Sequence, residues 1–169
     1  MNDMRSQLSR AGYNTNLRPV RNNNFNNTPI FKAPLNYDVV DDAEKVIKSL
    51  QYIDSKTNQP KIDLTTSQIR KFLTAVNIAK NKVDLFLAQN RSANVLPDEL
   101  VADIKFLKIN IMYQAGKDQD KKKPIKRFME TANLTAIIDD IHNDIKKFQK
   151  FCKYVEALVA YRKFLGGDK

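Results

Sequence analysis

The sequence has few cysteines, histidines and glycines and lacks long apolar runs, which argues against a disulfide-bonded, secreted or membrane-spanning protein. Its 169 residues include one cysteine, one histidine, four glycines and no tryptophan. Cys152 has no second cysteine to pair with, so an internal disulfide is excluded and a reducing compartment, the cytoplasm, is expected. There is no run of about eighteen apolar residues, so no membrane-spanning helix is expected. The first residues also lack the apolar centre of a secretory signal.

Catalytic and metal-binding motifs are scarce as well. His142 has no cysteine near it and no nucleophile–base pair can be assigned, so an enzyme is the least expected class and no cofactor is predicted. No glycine-rich phosphate loop is present. Asp139 precedes His142 by three residues and Asp140 precedes Asp144 by four, spacings that stack side chains on a helix. No second cluster supplies further metal ligands, so an acidic, solvated helix face is the preferred interpretation.

What the chain has in excess is positive charge. Lysine and arginine total 29 against 19 aspartates and glutamates, which gives a net charge of +10 and a pI near 9.6. A balance of this kind favours a polyanionic partner, most often a nucleic acid. The alternative is a basic, soluble protein whose charge has no binding role.

The first 36 residues differ in composition from the rest of the chain. They contain nine asparagines, few aliphatic residues and five basic residues against one acidic residue, so they carry +4 of the net charge. Such a stretch cannot bury enough apolar surface to order itself. Residues 1–36 are therefore predicted to be a flexible basic tail, and residues 37–169 a helical domain. The tail is either an unstructured leader or an arm that grips RNA or a partner.

Apolar residues at helical spacing predict an all-α fold, a compact bundle of about five helices in residues 37–169. Helix 1 is predicted for 38–52, and a polar loop follows at 54–63. Helix 2 begins at a capping box formed by Thr65 and Gln68. These signals are local, so they place the helices along the chain without saying how the helices pack.

The later helices are predicted from caps, prolines and glycines. Val83–Ala88 is either the end of helix 2 or a short helix of its own. Helix 3 opens at Pro97 and is predicted to end at Gly116 as a left-handed cap. A short helix 4 starts at the next proline, and helix 5 covers 134–165 with a possible break near Asn143–Asp144.

Three apolar faces are candidates for the core. Those of helices 2 and 3 are formed by Ile69, Phe72, Leu73 and Val76, and by Leu100, Ile104, Leu107 and Ile111. The end of helix 5 is apolar around most of its circumference, unlike an ordinary surface helix. On that helix Val155, Leu158 and Val159 are assigned to the core, and Tyr161, Phe164 and Leu165 are candidates for contact with a partner.

Two segments suggest other uses for the charge. "LTTSQIRKFLTAVN" is compatible with a DNA-recognition helix, because Ser67, Gln68 and Arg70 lie at exposed positions after a capped start. The loop before it is longer than the tight turn of a helix-turn-helix. "KKKPIKR" places five basic residues in seven at a helix N-terminus, where positive charge opposes the helix dipole. This loop is either simply solvated, a nuclear address, or kept basic for an anionic partner.

Four stretches resemble a known family: "LTTSQIRKFL", "LKINIMYQAGKD", "IKRFMETANL" and "FQKFCKYVEALVAYRKFLGGDK". In order and spacing, from about Asp38 to Lys169, they are similar to the small helical subunit of the type III-A CRISPR effector, the Csm complex. The resemblance implies a non-enzymatic subunit that stacks in several copies beside the guide RNA. Its implied partners are guide RNA, target RNA, the backbone and large subunits, and further copies of itself. The family begins near "DVVDDAEKVI", so residues 1–36 are an addition.

The resemblance implies that lysine and arginine side chains contact the sugar–phosphate chain of the guide–target duplex. Arg70 and Lys71 match the basic end of the "TTS" helix start. Lys117 stands where the family's "YQAG" is commonly followed by arginine, and lysine keeps the charge but loses the two-pronged phosphate fork. Charge and position add Lys105, Lys108, Arg127, Lys153, Arg162 and Lys163 to the predicted RNA-binding residues.

Three hypotheses follow for the function. The first is an RNA-binding structural subunit of an RNA-guided interference complex. The second is a pure assembly adaptor without direct RNA contact, in which helix 5 carries the contacts. The third is a helix-turn-helix regulator that reads DNA with helix 2.

Overall fold

The computed structural model describes residues 31–166, and helices dominate this part of the chain. The predicted tail therefore lies outside the described residues up to residue 30. Six helices and one pair of short strands are present between residues 31 and 166, which confirms the all-α fold class. In chain order they are α1 (Asp41–Ser49), β1 (Tyr52–Ile53), β2 (Pro60–Lys61), α2 (Thr66–Gln89), α3 (Asp98–Lys117), α4 (Pro124–Thr131), α5 (Leu134–Ile141) and α6 (Ile145–Gly166).

Helix α1 begins three residues later than predicted because Asp38 acts as a cap outside it. The Asp38 carboxylate accepts hydrogen bonds from the backbone N–H groups of Val40 and Asp41, both at 2.8 Å. These bonds, Asp41 first, lower the pKa of the Asp38 carboxyl. The backbone N–H of Asp38 in turn donates to Asp42 Oδ2 at 2.8 Å. The side chain thus satisfies amides that the first helical turn leaves unpaired.

The segment predicted as a polar loop is held by a two-stranded antiparallel ribbon. Tyr52 lies opposite Lys61 and Ile53 lies opposite Pro60. Strands of two residues leave no alternating pattern in the sequence, so periodicity could not reveal them. The ribbon also separates α1 from α2, so these helices are not joined by the short turn of a helix-turn-helix.

Helix α2 runs without interruption to Gln89, so the alternative of a separate short helix at Val83–Ala88 is wrong. No glycine or proline occurs within α2, and Val83 is buried on the same face as the earlier core residues. The predicted capping box is confirmed. The Gln68 backbone N–H donates to Thr65 Oγ1 at 3.2 Å, and the Thr65 N–H donates to Gln68 Oε1 at 2.8 Å.

Helix α3 ends one residue beyond Gly116, and the predicted left-handed glycine cap is wrong. Gly116 is helical, and the backbone becomes extended at Asp118 instead. The Asp118 carboxylate accepts hydrogen bonds from the N–H groups of Ile125 at 3.1 Å and Asp120 at 3.2 Å. One buried carboxylate therefore organises the turn from α3 into α4.

The long helix predicted for 134–165 is two helices, and the predicted break near Asn143–Asp144 is confirmed. His142, at the junction of α5 and α6, has a positive φ of 50°. Asn133, between α4 and α5, has a φ of 52°. A positive φ is incompatible with a right-handed helix, so these two residues divide the C-terminal half into three helices.

The core lies between α2 and α6 and extends onto the other helices. Phe72 of α2 meets Phe151 of α6 edge to face, with ring centroids 6.5 Å apart. Tyr37, before α1, packs on Tyr154 of α6 at 4.4 Å. The predicted core faces of helices 2 and 3 are buried, except that Leu73 is only partly buried. Of the residues assigned to the core near the C-terminus, Val155 and Leu158 are fully buried and Val159 is partly buried.

Residues just before 37 also contact the bundle. Ala33 is buried, its N–H donates to the Thr131 carbonyl, and its carbonyl accepts from Asn133 Nδ2, both at 2.9 Å. None of the helices between residues 31 and 166 combines the length and the apolar composition that crossing a bilayer requires.

Candidate nucleic-acid interface

The start of α2 and the end of α3 enclose a groove of about 440 Å³, which we call the α2–α3 groove. It brings Lys71 and Lys117 together, two predicted RNA-binding residues that are far apart in the sequence. The capping box fixes the start of α2, and the Asp118 turn fixes the end of α3. The lining residues are Gln68, Lys71, Tyr113, Gln114, Lys117, Asp118, Gln119 and Ile125.

The charged residues that line the groove are two lysines and one aspartate, and one exposed aromatic ring lies beside them. Neither Lys71 nor Lys117 forms an ion pair with a carboxylate of residues 31–166. The Tyr113 side chain is 66% exposed, and Lys117 Nζ lies 5.7 Å from its ring centroid, within cation–π range. The Asp118 carboxylate is occupied by the two backbone N–H groups described above. Two lysines are thus available to an anionic ligand.

Four other predicted cations are exposed but lie outside the groove. No ion pair to a described carboxylate engages any of them. The four exposed cations are Arg70, next to Lys71 on α2, Lys105 on α3, and Lys153 and Lys163 on α6. A fifth predicted cation, Arg127, is half-buried in a small cleft beside Asp63 and Pro124.

Two predicted cations are engaged within the protein. Lys108 Nζ lies 2.6 Å from Asp139 Oδ2. Arg162 is only 2% exposed, and its Nε donates to the backbone carbonyl of Leu64. Arg162 thus ties α6 to the chain just before α2 and offers little surface to a phosphate.

Part of the basic loop before α4 also has intramolecular partners. Lys122 Nζ lies 3.0 Å from an Asp63 carboxylate oxygen and 4.2 Å from the ring centroid of Tyr52. Its hydrogen bonds to Tyr52 and Asp63 raise the pKa of the Lys122 ammonium. Lys123 donates to the Asp118 carbonyl. The positive charge of these two lysines at the N-terminus of α4 therefore has local partners: the Asp63 carboxylate for Lys122 and the Asp118 carbonyl for Lys123.

Sequence reasoning missed an apolar surface on the opposite side of the α2–α3 pair from the core. We call it the outer apolar face: Ile78 and Leu85 of α2, and Phe106 and Ile109 of α3. Each of these side chains is more than half exposed. Their spacings, seven residues on α2 and three on α3, are helical, so the signal was present but could not be distinguished from a core face. A shallow cleft of about 170 Å³ separates the two helices there.

The end of α6 presents a further exposed apolar side chain, outside the outer apolar face. Phe164 is 83% exposed, whereas Tyr161 and Leu165 pack partly against the core. Of these three candidates for partner contact, Phe164 is the one that the fold leaves on the surface.

The acidic stretch around His142 does not gather into a metal site. Within residues 31–166, no three His, Cys, Asp or Glu side chains come close enough to hold a metal ion. Asp139 pairs with Lys108, and Asp140 Oδ2 lies 2.9 Å from Lys147 Nζ. Cys152 is buried, and this burial raises the pKa of its thiol to about 12. The thiol is therefore protonated at neutral pH, which makes it a poor nucleophile.

Comparison with known proteins agrees with the resemblance seen in the motifs. Residues 36–168 match the family model described as Csm2 Type III-A. The CRISPR system Cms protein Csm2 of Streptococcus thermophilus is 38% identical over 128 residues, covering 76% of this chain and 91% of that protein. The protein of the same name from Mycobacterium tuberculosis (strain CDC 1551 / Oshkosh) is 30% identical, covering 75% of this chain and 94% of its own length. The chain therefore belongs to the Csm2 family of type III-A CRISPR systems.

Proposed function

We propose that this chain is a non-catalytic structural subunit of a type III-A CRISPR effector complex, the Csm complex. It stacks in several copies and holds guide and target RNA through lysine and arginine contacts to the sugar–phosphate backbone. Membership of the family supports the place in the complex. One observation supports the RNA contact: Lys71 and Lys117 line the same α2–α3 groove, and neither forms an ion pair with a described carboxylate.

The mechanism is electrostatic. Cations that bind phosphates release the counterions condensed on RNA, which gives affinity without reading the bases. The helices contribute rigidity, because Lys71 follows a capped helix start and Lys117 ends a helix directly before the turn that the Asp118 carboxylate organises. The strand is thereby held in register, and sequence is read by base pairing between the two RNAs.

Salt dependence tests this mechanism directly. Single-stranded RNA binding by the full chain is measured by fluorescence anisotropy over a range of salt concentrations. Weak affinity with little sequence preference is expected. About four phosphate contacts give a slope of log affinity against log salt near −3. A flat salt dependence contradicts the mechanism.

Charge reversal tests the groove itself. The double variant Lys71→Glu with Lys117→Glu is expected to lose about tenfold or more in RNA affinity and to flatten the salt slope. The matched control is Lys56→Glu with Lys146→Glu, which makes the same charge change at two exposed lysines outside the groove. Equal losses in both double variants would show that only net charge matters, and the groove would then have no special role.

The outer apolar face and Phe164 favour a second candidate, an assembly adaptor that makes no direct RNA contact. Exposed patches of large apolar side chains mark interaction surfaces. To distinguish the two candidate functions, a tagged chain that carries Lys71→Glu and Lys117→Glu is purified from its host. An intact particle that has lost target RNA supports the RNA-binding role. A lost particle, or an intact particle with unchanged RNA binding, supports the adaptor.

A further inference from the structure

We infer that Tyr113 is a stacking platform for one unstacked RNA base, with Lys71 and Lys117 neutralising the neighbouring phosphates. The inference rests on the proposed function and adds to it, because backbone contacts alone need no aromatic ring. The class of ligand is a single-stranded or locally unpaired ribonucleotide. A regular duplex keeps its bases stacked on one another and cannot offer one.

The exposure of Tyr113 has no explanation inside the fold. The side chain is 66% exposed and does not belong to the core cluster. Its hydroxyl has no hydrogen-bond partner among the described residues, unlike that of Tyr52, which donates to Asp63 at 2.7 Å. Nevertheless it lines a groove of about 440 Å³, within the size range of small-ligand sites.

The surroundings of the ring match a site for single-stranded nucleic acid. Such sites combine an aromatic face for the base with cations that follow the backbone. Lys117 lies 5.7 Å from the Tyr113 centroid, and Lys71 lines the same groove from the other helix. An acidic protein segment would also use the two lysines and could pack against the ring, but only a nucleotide places a flat base directly beside each phosphate, so the observations favour RNA.

Side-chain amides line the groove and can bond to the edge of a stacked base. The oxygen of Gln68 is committed to the capping box, which leaves its amide N–H groups as donors. One N–H of the Gln114 amide donates to Asn110 Oδ1 at 2.6 Å, which leaves its second N–H as a donor and its oxygen as an acceptor. Donors and an acceptor together suit the edge of any base, so a strong base preference is not expected.

The first test replaces the ring in the full chain. Binding of a short oligouridine RNA is measured by fluorescence anisotropy at low salt. Tyr113→Leu is expected to weaken binding about 5- to 10-fold, the lower part of the range for one stacked base, because the site is partly exposed. Tyr113→Phe keeps the ring and is expected to stay within about twofold. The salt slope is unchanged in both variants, since no phosphate contact is lost.

The matched control is Phe106→Leu, an exposed aromatic residue on the same helix but outside the groove. It is expected to bind RNA like the unmodified chain. If Tyr113→Leu also binds like the unmodified chain, or if Phe106→Leu loses as much affinity, the inference is overturned.

A second measurement observes stacking itself. The chain contains no tryptophan, so Tyr113→Trp introduces one emitter at the site. Its fluorescence is expected to be quenched by saturating oligouridine and not by an abasic RNA of the same length. Unchanged emission with bound oligouridine overturns the inference, as does equal quenching by the abasic RNA. Equal quenching by a polyglutamate peptide overturns it in favour of an acidic protein partner.

The experiments distinguish a failure of the proposed RNA-binding function from a failure of the stacking inference alone. If the Lys71→Glu, Lys117→Glu variant binds RNA like the unmodified chain, the proposed function fails and the inference fails with it. If that variant loses affinity and Tyr113→Leu does not, the RNA-binding role stands and only the stacking platform is lost.

Discussion

The inner and outer faces of the α2–α3 pair carry similar apolar side chains but differ completely in burial. On the inner face Phe72 and Ile104 are at most 1% exposed, whereas on the outer face Phe106 is 63% exposed and Ile109 is 57% exposed. Helices α4, α5 and α6 cover the inner face, and no described residue covers the outer one. Apolar periodicity alone therefore does not identify a core: a helix with two apolar faces needs a neighbour for each.

The largest expected effect breaks the inner face. Phe72→Ala removes a fully buried ring that meets Phe151, and it is expected to lower the free energy of unfolding by about 3–5 kcal/mol. Phe106→Ala on the outer face is expected to change it by less than about 0.5 kcal/mol. Urea unfolding followed by circular dichroism measures both. Similar losses in the two variants would mean that the outer face is buried in the free chain.

The second-largest expected effect is a loss of stability at alkaline pH, because three titratable side chains are buried in the core. Burial raises the pKa values of Tyr37 and Tyr154 above their usual range and that of Cys152 to about 12. A group with a raised folded pKa contributes stability below its unfolded pKa and loses it as pH rises toward the folded value. For Cys152 that window runs from about 9 to about 12. The free energy of unfolding should therefore fall over this range, by at most about 1.4 kcal/mol per pH unit for each group.

Urea unfolding at pH 8 and at pH 10.5 measures this loss. Cys152→Ala serves as the control, because it removes one of the three groups and should reduce the pH dependence without abolishing it. A pH-independent free energy of unfolding in the unmodified chain would show that these groups are not buried in solution.

A smaller effect is expected at the capping box, where α2 enters the groove. Thr65→Ala removes the side-chain acceptor for the Gln68 N–H, and it should cost about 1 kcal/mol of unfolding free energy. Thr74→Ala is the matched control: Thr74 is exposed within the same helix, and alanine is the better helix former there. Urea unfolding compares them, and an equal effect would argue that the cap contributes nothing.

The smallest effect is expected where a charge pair crosses the outer side of the two helices. Lys82 Nζ lies 2.7 Å from Asp103 Oδ2, and this bond raises the pKa of the Lys82 ammonium. Both side chains are substantially exposed, so solvent screens the pair. Lys82→Ala should therefore lower the free energy of unfolding less than Thr65→Ala does. In 1 M salt, Lys82→Ala and the unmodified chain should have the same free energy of unfolding. A loss that persists in 1 M salt would indicate packing by the lysine stem instead.

The sequence by itself determined the features that depend on neighbours along the chain. The Thr65–Gln68 capping box, the inner faces of α2 and α3 and the break near Asn143–Asp144 were all predictable, because caps and helical periodicity involve residues within a few positions of one another. The motifs also identified the family. The prediction that the helix ends at Gly116 is wrong, because the position of the turn depends on Asp118 and its hydrogen bond from the Ile125 N–H.

Only the tertiary structure decided which of the many cations and apolar residues are available to a partner. Arg162 is buried against Leu64, and Lys108 is paired with Asp139, while Lys71 and Lys117 come together beside Tyr113. Each outcome depends on a residue at least 31 positions away in the chain, beyond the reach of any local pattern. The physical reason is that burial and charge pairing depend on packed neighbours, and packing sets those neighbours without regard to sequence order.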